Sequence, residues 1–176
     1  KTDMLNQGIE DAISGGKPLM SEEERRATLM GLAQRVKAEQ QQKMQQQGAE
    51  ALAAGEAFLA ENAGKEGVTT LPSGLQYKVI QAGSGASPKA TDQVSVHYRG
   101  TLVDGTEFDS SYSRGKPTSF GVNQVIPGWT EALQLMKEGG KWQLFIPSKL
   151  AYGERQAGKI PPNSTLIFEV ELISVN

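Results

Sequence analysis

The chain has no cysteine and only one histidine, His97, among its 176 residues. The first absence removes disulfide staples, thiolate metal sites and cysteine nucleophiles, and it leaves the redox compartment unreadable from cysteine usage. The second argues against a histidine-rich zinc centre or a histidine-dependent triad. No apolar run reaches membrane-spanning length. There is also no basic field: 18 Lys and Arg stand against 20 Asp and Glu, a net charge of −2, which argues against a nucleic-acid binder. No Gly-x-Ser-x-Gly elbow is present. Gly83-Ser84-Gly85 lacks both the full glycine pattern and the following helix of a phosphate cradle. No charged-then-apolar leader precedes the first helical pattern, so a signal peptide is expected to have been removed or never to have been there.

What is present divides at about Gly67. Met4, Leu5, Ile9, Ala12 and Ile13 recur at helical spacing and predict a small amphipathic helix over residues 2–13, ended by Gly15-Gly16-Lys17-Pro18. Ser21-Glu22-Glu23-Glu24 matches a capping box and predicts a second helix start. Leu29, Leu32, Ala33 and Val36 give that helix an apolar stripe, which then fades. From Lys37 to Glu50 nearly every residue is Gln, Lys, Glu or Ala, all good helix formers. A helix polar all round either bridges solvent or is disordered. A long bridging helix is the better reading, because Ala51, Leu52, Phe58 and Leu59 resume the stripe, with Gly48 and Gly55 as bending points. The first stripe needs a partner, and a second copy of the chain supplies one by symmetry. The alternative is that these helices fold back on the rest of the chain. The expected division is residues 1–66, a helical dimerisation and linker region, and residues 67–176, a second domain.

The second domain alternates in the strand manner. Leu75, Tyr77 and Val79 form one inward set, Val94, Val96 and Tyr98 a second, Leu144 and Ile146 a third, and Leu166, Phe168, Val170 and Leu172 a fourth. A short helix is predicted from about Trp129 to Met136, just after a Pro-Gly breaker. The fold class expected is α+β: an antiparallel β-sheet wrapped around one short helix, preceded by an all-α region with a long bridging helix. His97 alternates away from Val96 and Tyr98 and belongs to the other sheet face. Asn163-Ser164-Thr165 matches a glycosylation acceptor but reads as turn chemistry before the last strand. Tyr98, Phe108, Phe120, Val125, Ile126, Trp129, Tyr152, Ile160 and Phe168 cluster where strands end or loops begin. Asp109, next to Phe108, is a carboxylate in apolar company and requires a hydrogen-bond partner. Tyr98 is a candidate donor.

Four blocks carry a resemblance. Val-His-Tyr-Arg-Gly-Thr-Leu-Val-Asp-Gly-Thr-Glu-Phe-Asp-Ser-Ser from Val96, Val-Ile-Pro-Gly-Trp-Thr-Glu-Ala-Leu from Val125, Leu-Ala-Tyr-Gly-Glu-Arg from Leu150 and Ile-Pro-Pro-Asn-Ser-Thr-Leu-Ile-Phe-Glu-Val-Glu-Leu from Ile160 resemble the signature blocks of the FKBP-type peptidyl-prolyl cis-trans isomerases. The helical first third is similar to the bacterial macrophage infectivity potentiator (Mip) subgroup through Gly-Glu-Ala-Phe-Leu-Ala-Glu-Asn and Leu-Pro-Ser-Gly-Leu-Gln-Tyr-Lys-Val-Ile.

The resemblance implies an FKBP-like fold and an enzyme that rotates the peptide bond preceding proline, serving as folding catalyst and chaperone for unfolded or extracytoplasmic proteins. It implies catalytic roles for Asp109, Tyr152, Tyr98 and Phe108. Trp129 would floor a proline site walled by Phe120, Val125, Ile126, Ile160 and Phe168. Tyr152 would donate to a substrate carbonyl, the Ile126 amide would hold another, and Asp109, oriented by Tyr98, would polarise or receive the twisting amide. No metal or cofactor is implied. The partners implied are proline-containing polypeptides, macrolide inhibitors of the rapamycin or tacrolimus type and a second copy through the N-terminal helices, with no nucleic acid and no transmembrane segment. The implied location is the periplasm or the outer membrane. The loop from Glu154 to Lys159 departs from the commonest family pattern in carrying Arg155 and Lys159 and no aromatic or histidine. Two other readings are a non-catalytic holdase or adhesion module using the same pocket, and a hydrolase centred on His97.

Overall fold

The computed structural model describes Met20 to Asn176 together with Gly8 and Ile13. The helix expected over residues 2–13 and the turn after it therefore lie outside the described residues, those two positions apart. Helix α1 runs unbroken over Glu22–Asn62. It opens on the expected capping box: the Glu24 amide donates to Ser21 Oγ at 3.2 Å and the Ser21 amide donates to the Glu24 carboxylate at 2.8 Å. Three acidic residues in the first turn suit the positive end of the helix dipole.

By spatial contact the chain forms two units, Lys1–Lys43 and Met44–Asn176, so α1 contributes to both. In the described part of the first unit Leu29, Met30, Leu32 and Val36 are exposed. Within the second unit, the later part of α1 is docked rather than free. Gly48 and Gly55 are buried and are points of close approach, not bends. A Cβ on Gly48 would lie 3.2 Å from Pro162 Cβ, and one on Gly55 would overlap the Thr165 side chain. Phe58 packs at 5.8 Å on Phe145. The buried Asn62 amide donates to Gln76 Oε1 at 2.9 Å, and Gln76 Nε2 donates to the Leu59 carbonyl at the same distance, so both buried polar groups are satisfied. Among the described residues no helix is long and apolar enough to cross a membrane.

Seven antiparallel strands follow: β1 Val68–Thr70, β2 Gln76–Gln81, β3 Gln93–Leu102, β4 Glu107–Ser110, β5 Thr118–Gly121, β6 Lys141–Ile146 and β7 Leu166–Val175. They form one sheet in the order β1-β2-β6-β7-β3-β4, with β5 also paired to β3. The first half of β3 pairs with β5 and its second half with β4, while β7 lies along its other side. Helix α2, Pro127–Leu135, has proline in its first turn, where no amide is missed, and buries Trp129, Ala132 and Leu133.

Val94, Val96, Leu144, Ile146, Leu166, Val170 and Leu172 are fully buried, as their alternation predicts. Burial of such a side chain contributes about 1.5–3 kcal/mol before the entropy of ordering it. Val79 differs from expectation: it is exposed. It lies past the last β1–β2 pair, Val68 with Lys78, and at the start of a register shift against β6, where strict alternation ends.

Candidate active site

The register of β3 decides what meets over α2. Tyr98 and Gly100 stand opposite Val170 and Phe168 of β7, and Gly100 also stands opposite Asp109 of β4. Gly100 is required here by packing. A Cβ at that position would fall 2.6 Å from Cε2 of Phe108 and 2.7 Å from Cε1 of Phe168. Its absence lets those two rings meet edge to face at 5.4 Å and 84°.

Below them lies the Trp129 indole, 4 % exposed. Three rings stand nearly perpendicular to it: Phe168 at 5.2 Å, Tyr98 at 5.3 Å and Phe120 at 5.9 Å, with interplanar angles of 83°, 86° and 84°. Helix α2 is held under the site by Thr130, whose hydroxyl donates to the Val122 carbonyl at 2.7 Å. Trp129 Nε1 is buried without a hydrogen-bond partner among the described residues.

The resulting cavity has a volume of about 750 Å³. Around it the structure brings together all ten residues singled out from the sequence: Tyr98, Phe108, Asp109, Phe120, Val125, Ile126, Trp129, Tyr152, Ile160 and Phe168. Gln124, Ala157, Gly158 and Lys159 line it too. Ala157 and Ile160 exchange two backbone hydrogen bonds, 3.0 and 2.9 Å, which close a two-residue turn over Gly158 and Lys159. Gly158 takes φ 58°, the left-handed backbone that the first central position of such a turn demands.

The acidic group of the cavity is already engaged. Tyr98 donates its hydroxyl to Asp109 Oδ2 at 2.6 Å, and Arg114 pairs with Oδ1 at 2.5 Å. Arg114 Nη2 also donates to the Tyr98 hydroxyl at 2.7 Å, closing a three-membered network. Partial burial pulls the Asp109 carboxyl upward, but the Tyr98 hydrogen bond and the Arg114 charge together outweigh it and hold the group below the usual carboxylate range. Burial and the neighbouring carboxylate push the Tyr98 hydroxyl up. Asp109 is therefore an anion held in place, an electrostatic element and not a proton donor at neutral pH. Arg114 escaped the sequence reading, because it comes from a turn-rich stretch with no periodicity. The hint available was the need of a half-buried carboxylate for a cation.

His97 lies elsewhere. It stacks on Tyr112 at 4.7 Å and 10°, and its Nδ1 is 2.9 Å from Ser111 Oγ. That pair cannot serve as nucleophile and base: Ser111 is fully buried and its hydroxyl bonds the backbone amide and carbonyl of Tyr98. The Ser84 and Gly85 amides donate to the Glu138 carbonyl at 3.2 and 3.1 Å, so the glycine-rich stretch is a turn and not an anion cradle. Asn163 takes φ 58°, in keeping with its reading as turn chemistry before the last strand.

Comparison with known proteins agrees with this geometry. Residues 84–173 match the family described as FKBP-type peptidyl-prolyl cis-trans isomerase, and residues 1–79 match the domain amino terminal to it. The chain is 49 % identical over 174 residues to the outer membrane protein MIP of Legionella longbeachae, covering 98 % of the chain and 75 % of that protein. It is 50 % identical over 172 residues to the FKBP-type isomerase FkpA of Aeromonas hydrophila, covering 98 % of the chain and 64 % of that protein's length. Among solved structures it resembles FkpA from Escherichia coli with a TM-score of 0.85 and 46 % identity, over 100 % of the chain and 82 % of that structure.

Proposed function

The chain belongs to the FKBP-type peptidyl-prolyl cis-trans isomerases, and from that premise we propose how its cavity turns an X-Pro bond and where the protein works. The reaction makes and breaks no covalent bond. Its barrier, about 18–20 kcal/mol, is the resonance of the amide. Water stabilises the charge-separated resonance form, so a cavity walled by Phe108, Phe120, Phe168 and the Trp129 face weakens that form by excluding water. The twisted amide loses the resonance and is the species such a cavity favours.

The roles follow from the polar groups at hand. Trp129 carries the proline ring, with Val125, Ile126 and Ile160 as apolar walls. The Tyr152 hydroxyl donates to a substrate carbonyl, and the Ile126 amide holds another. Asp109, fixed by Tyr98 and Arg114, sets the field felt by the rotating carbonyl. The single observation that carries this reading is the perpendicular packing of three rings on Trp129 beside an ion-paired carboxylate. Macrolides of the rapamycin or tacrolimus type are proposed as ligands for the same cavity.

The double variant Tyr152→Phe plus Asp109→Leu tests the roles. Refolding of a client limited by proline isomerisation is expected to slow by about tenfold or more relative to the parent chain, a loss of at least about 1.4 kcal/mol of transition-state stabilisation. An unchanged refolding rate would remove both residues from the mechanism. Binding of a proline peptide by the parent chain without any acceleration would favour the holdase reading instead.

The exposed Leu29, Leu32 and Val36 support a homodimer through the N-terminal helical region, with residues 1–66 as handle and 67–176 as the isomerase domain. Similarity to an outer membrane protein supports the periplasm or outer membrane as the site of a chaperone function. Two cavities on one dimer would hold an unfolded client at two points, and avidity would follow. Removing residues 1–36 is expected to give a monomer by sedimentation that isomerises short peptides yet loses roughly tenfold or more of its effect on unfolded proteins. A dimer surviving that deletion would refute the handle.

A further inference from the structure

The cavity rim carries one charge that the proposed catalysis does not use. Lys159 lines the cavity and is exposed at its mouth. It takes part in no ion pair or hydrogen bond among the described residues. Among the described residues the only other ionised side chain lining the cavity, Asp109, is neutralised by Arg114. Among the described residues, the mouth therefore presents one uncompensated positive charge over apolar walls.

The backbone that carries that charge is held in position. The two hydrogen bonds between Ala157 and Ile160 and the left-handed Gly158 fix the backbone of Lys159 in a tight turn directly before the cavity wall Ile160. The lysine stem is flexible, but its origin is not. A lysine ammonium is a mobile point charge that reaches a carboxylate without strict geometry.

We infer that Lys159 is a specificity determinant which favours an aspartate or glutamate over a lysine or arginine immediately beside the proline. The inference rests on the isomerase reading of the cavity and adds the class of sequence it prefers. A carboxylate next to the scanned bond meets Lys159 at the rim, whereas a lysine or arginine there meets a like charge. The low-dielectric walls strengthen both effects relative to bulk water. Since the contact is exposed, its size is that of a surface ion pair and it is screened by salt.

The test measures kcat/KM for peptides with glutamate, leucine or lysine just before the proline, and for a second set with the same residues just after it. The full chain is compared with Lys159→Ala and Lys159→Glu at low and at about 0.5 M salt. In one of the two sets the glutamate-to-lysine ratio is expected to exceed unity by roughly two- to fivefold in the parent, to approach unity in Lys159→Ala, and to invert in Lys159→Glu. High salt should flatten all three. Ratios near unity in both sets, or ratios that do not respond to Lys159, would overturn the inference and leave the isomerase reading standing. Failure of the parent chain to isomerise any of the peptides would overturn both.

Discussion

Trp129→Ala is expected to cost about 3–5 kcal/mol of stability, the range for truncating a buried large aromatic side chain. It should also lower kcat/KM for proline peptides by at least about a hundredfold. The reason lies in how many neighbours share the indole. Phe168, Tyr98 and Phe120 all set their edges against it, so its loss removes the floor and lets three walls relax together. Urea denaturation and an isomerisation assay on the same preparation separate the two effects. Trp129→Leu keeps an apolar side chain at the head of α2 and serves where the alanine variant fails to fold. It is expected to recover part of the stability and little of the activity. A folded variant of either kind that binds proline peptides as the parent does would end the role of Trp129 as contact surface, while the fold would stand.

Gly100→Val is expected to have the next largest effect, and it touches no substrate. Two rings already occupy the space of a β-carbon, Phe108 Cε2 at 2.6 Å and Phe168 Cε1 at 2.7 Å. Neither can retreat easily, because Phe168 rests on Trp129 and both belong to strands paired with β3. Overpacking of this kind typically costs about 1–3 kcal/mol. The displaced rings are expected to raise KM by roughly tenfold, since the proline site loses its shape while Asp109 and Tyr98 keep their hydrogen bond. Denaturation midpoints and Michaelis constants read both quantities. A variant with parental KM would mean that the edge-to-face pair does not shape the site.

These two residues also differ in how far the sequence announces them. Trp129 was visible as a bulky residue behind a Pro-Gly breaker at the head of a helical pattern, and family resemblance turned it into a proline contact. Gly100 was silent. Its neighbours on either side in space, Phe108 and Phe168, are 8 and 68 positions away in the chain, and only the pairing of β3 with β4 and β7 brings them to it. Arg114 was silent for the same reason. Its charge was plain, but a loop has no period from which the direction of a side chain can be read. Lys159 departs from the family pattern, and the Gly158 turn that sets its backbone at the cavity rim exists only in the folded chain. Gly48 and Gly55 show the opposite error. Glycine in a helix suggests a weak point, yet α1 passes through both without a break because each is where another segment comes close.

By itself the sequence determined the capping box that starts α1, the faces of β3, β6 and β7 that turn inward, the short helix at Trp129, though not its start at Pro127, and the chemistries that are excluded. All of these depend on residue type and on periods of two or 3.6, which are local properties. The tertiary structure alone decided that the later part of α1 is docked against the loop before β7, that Asp109 is held as an anion by Tyr98 and Arg114, and that Lys159 stands unpaired at the cavity mouth. Those facts depend on strand register and loop closure. A shift of one residue in the register of β3 or β4 would move Tyr98 or Asp109 to the opposite face of the sheet.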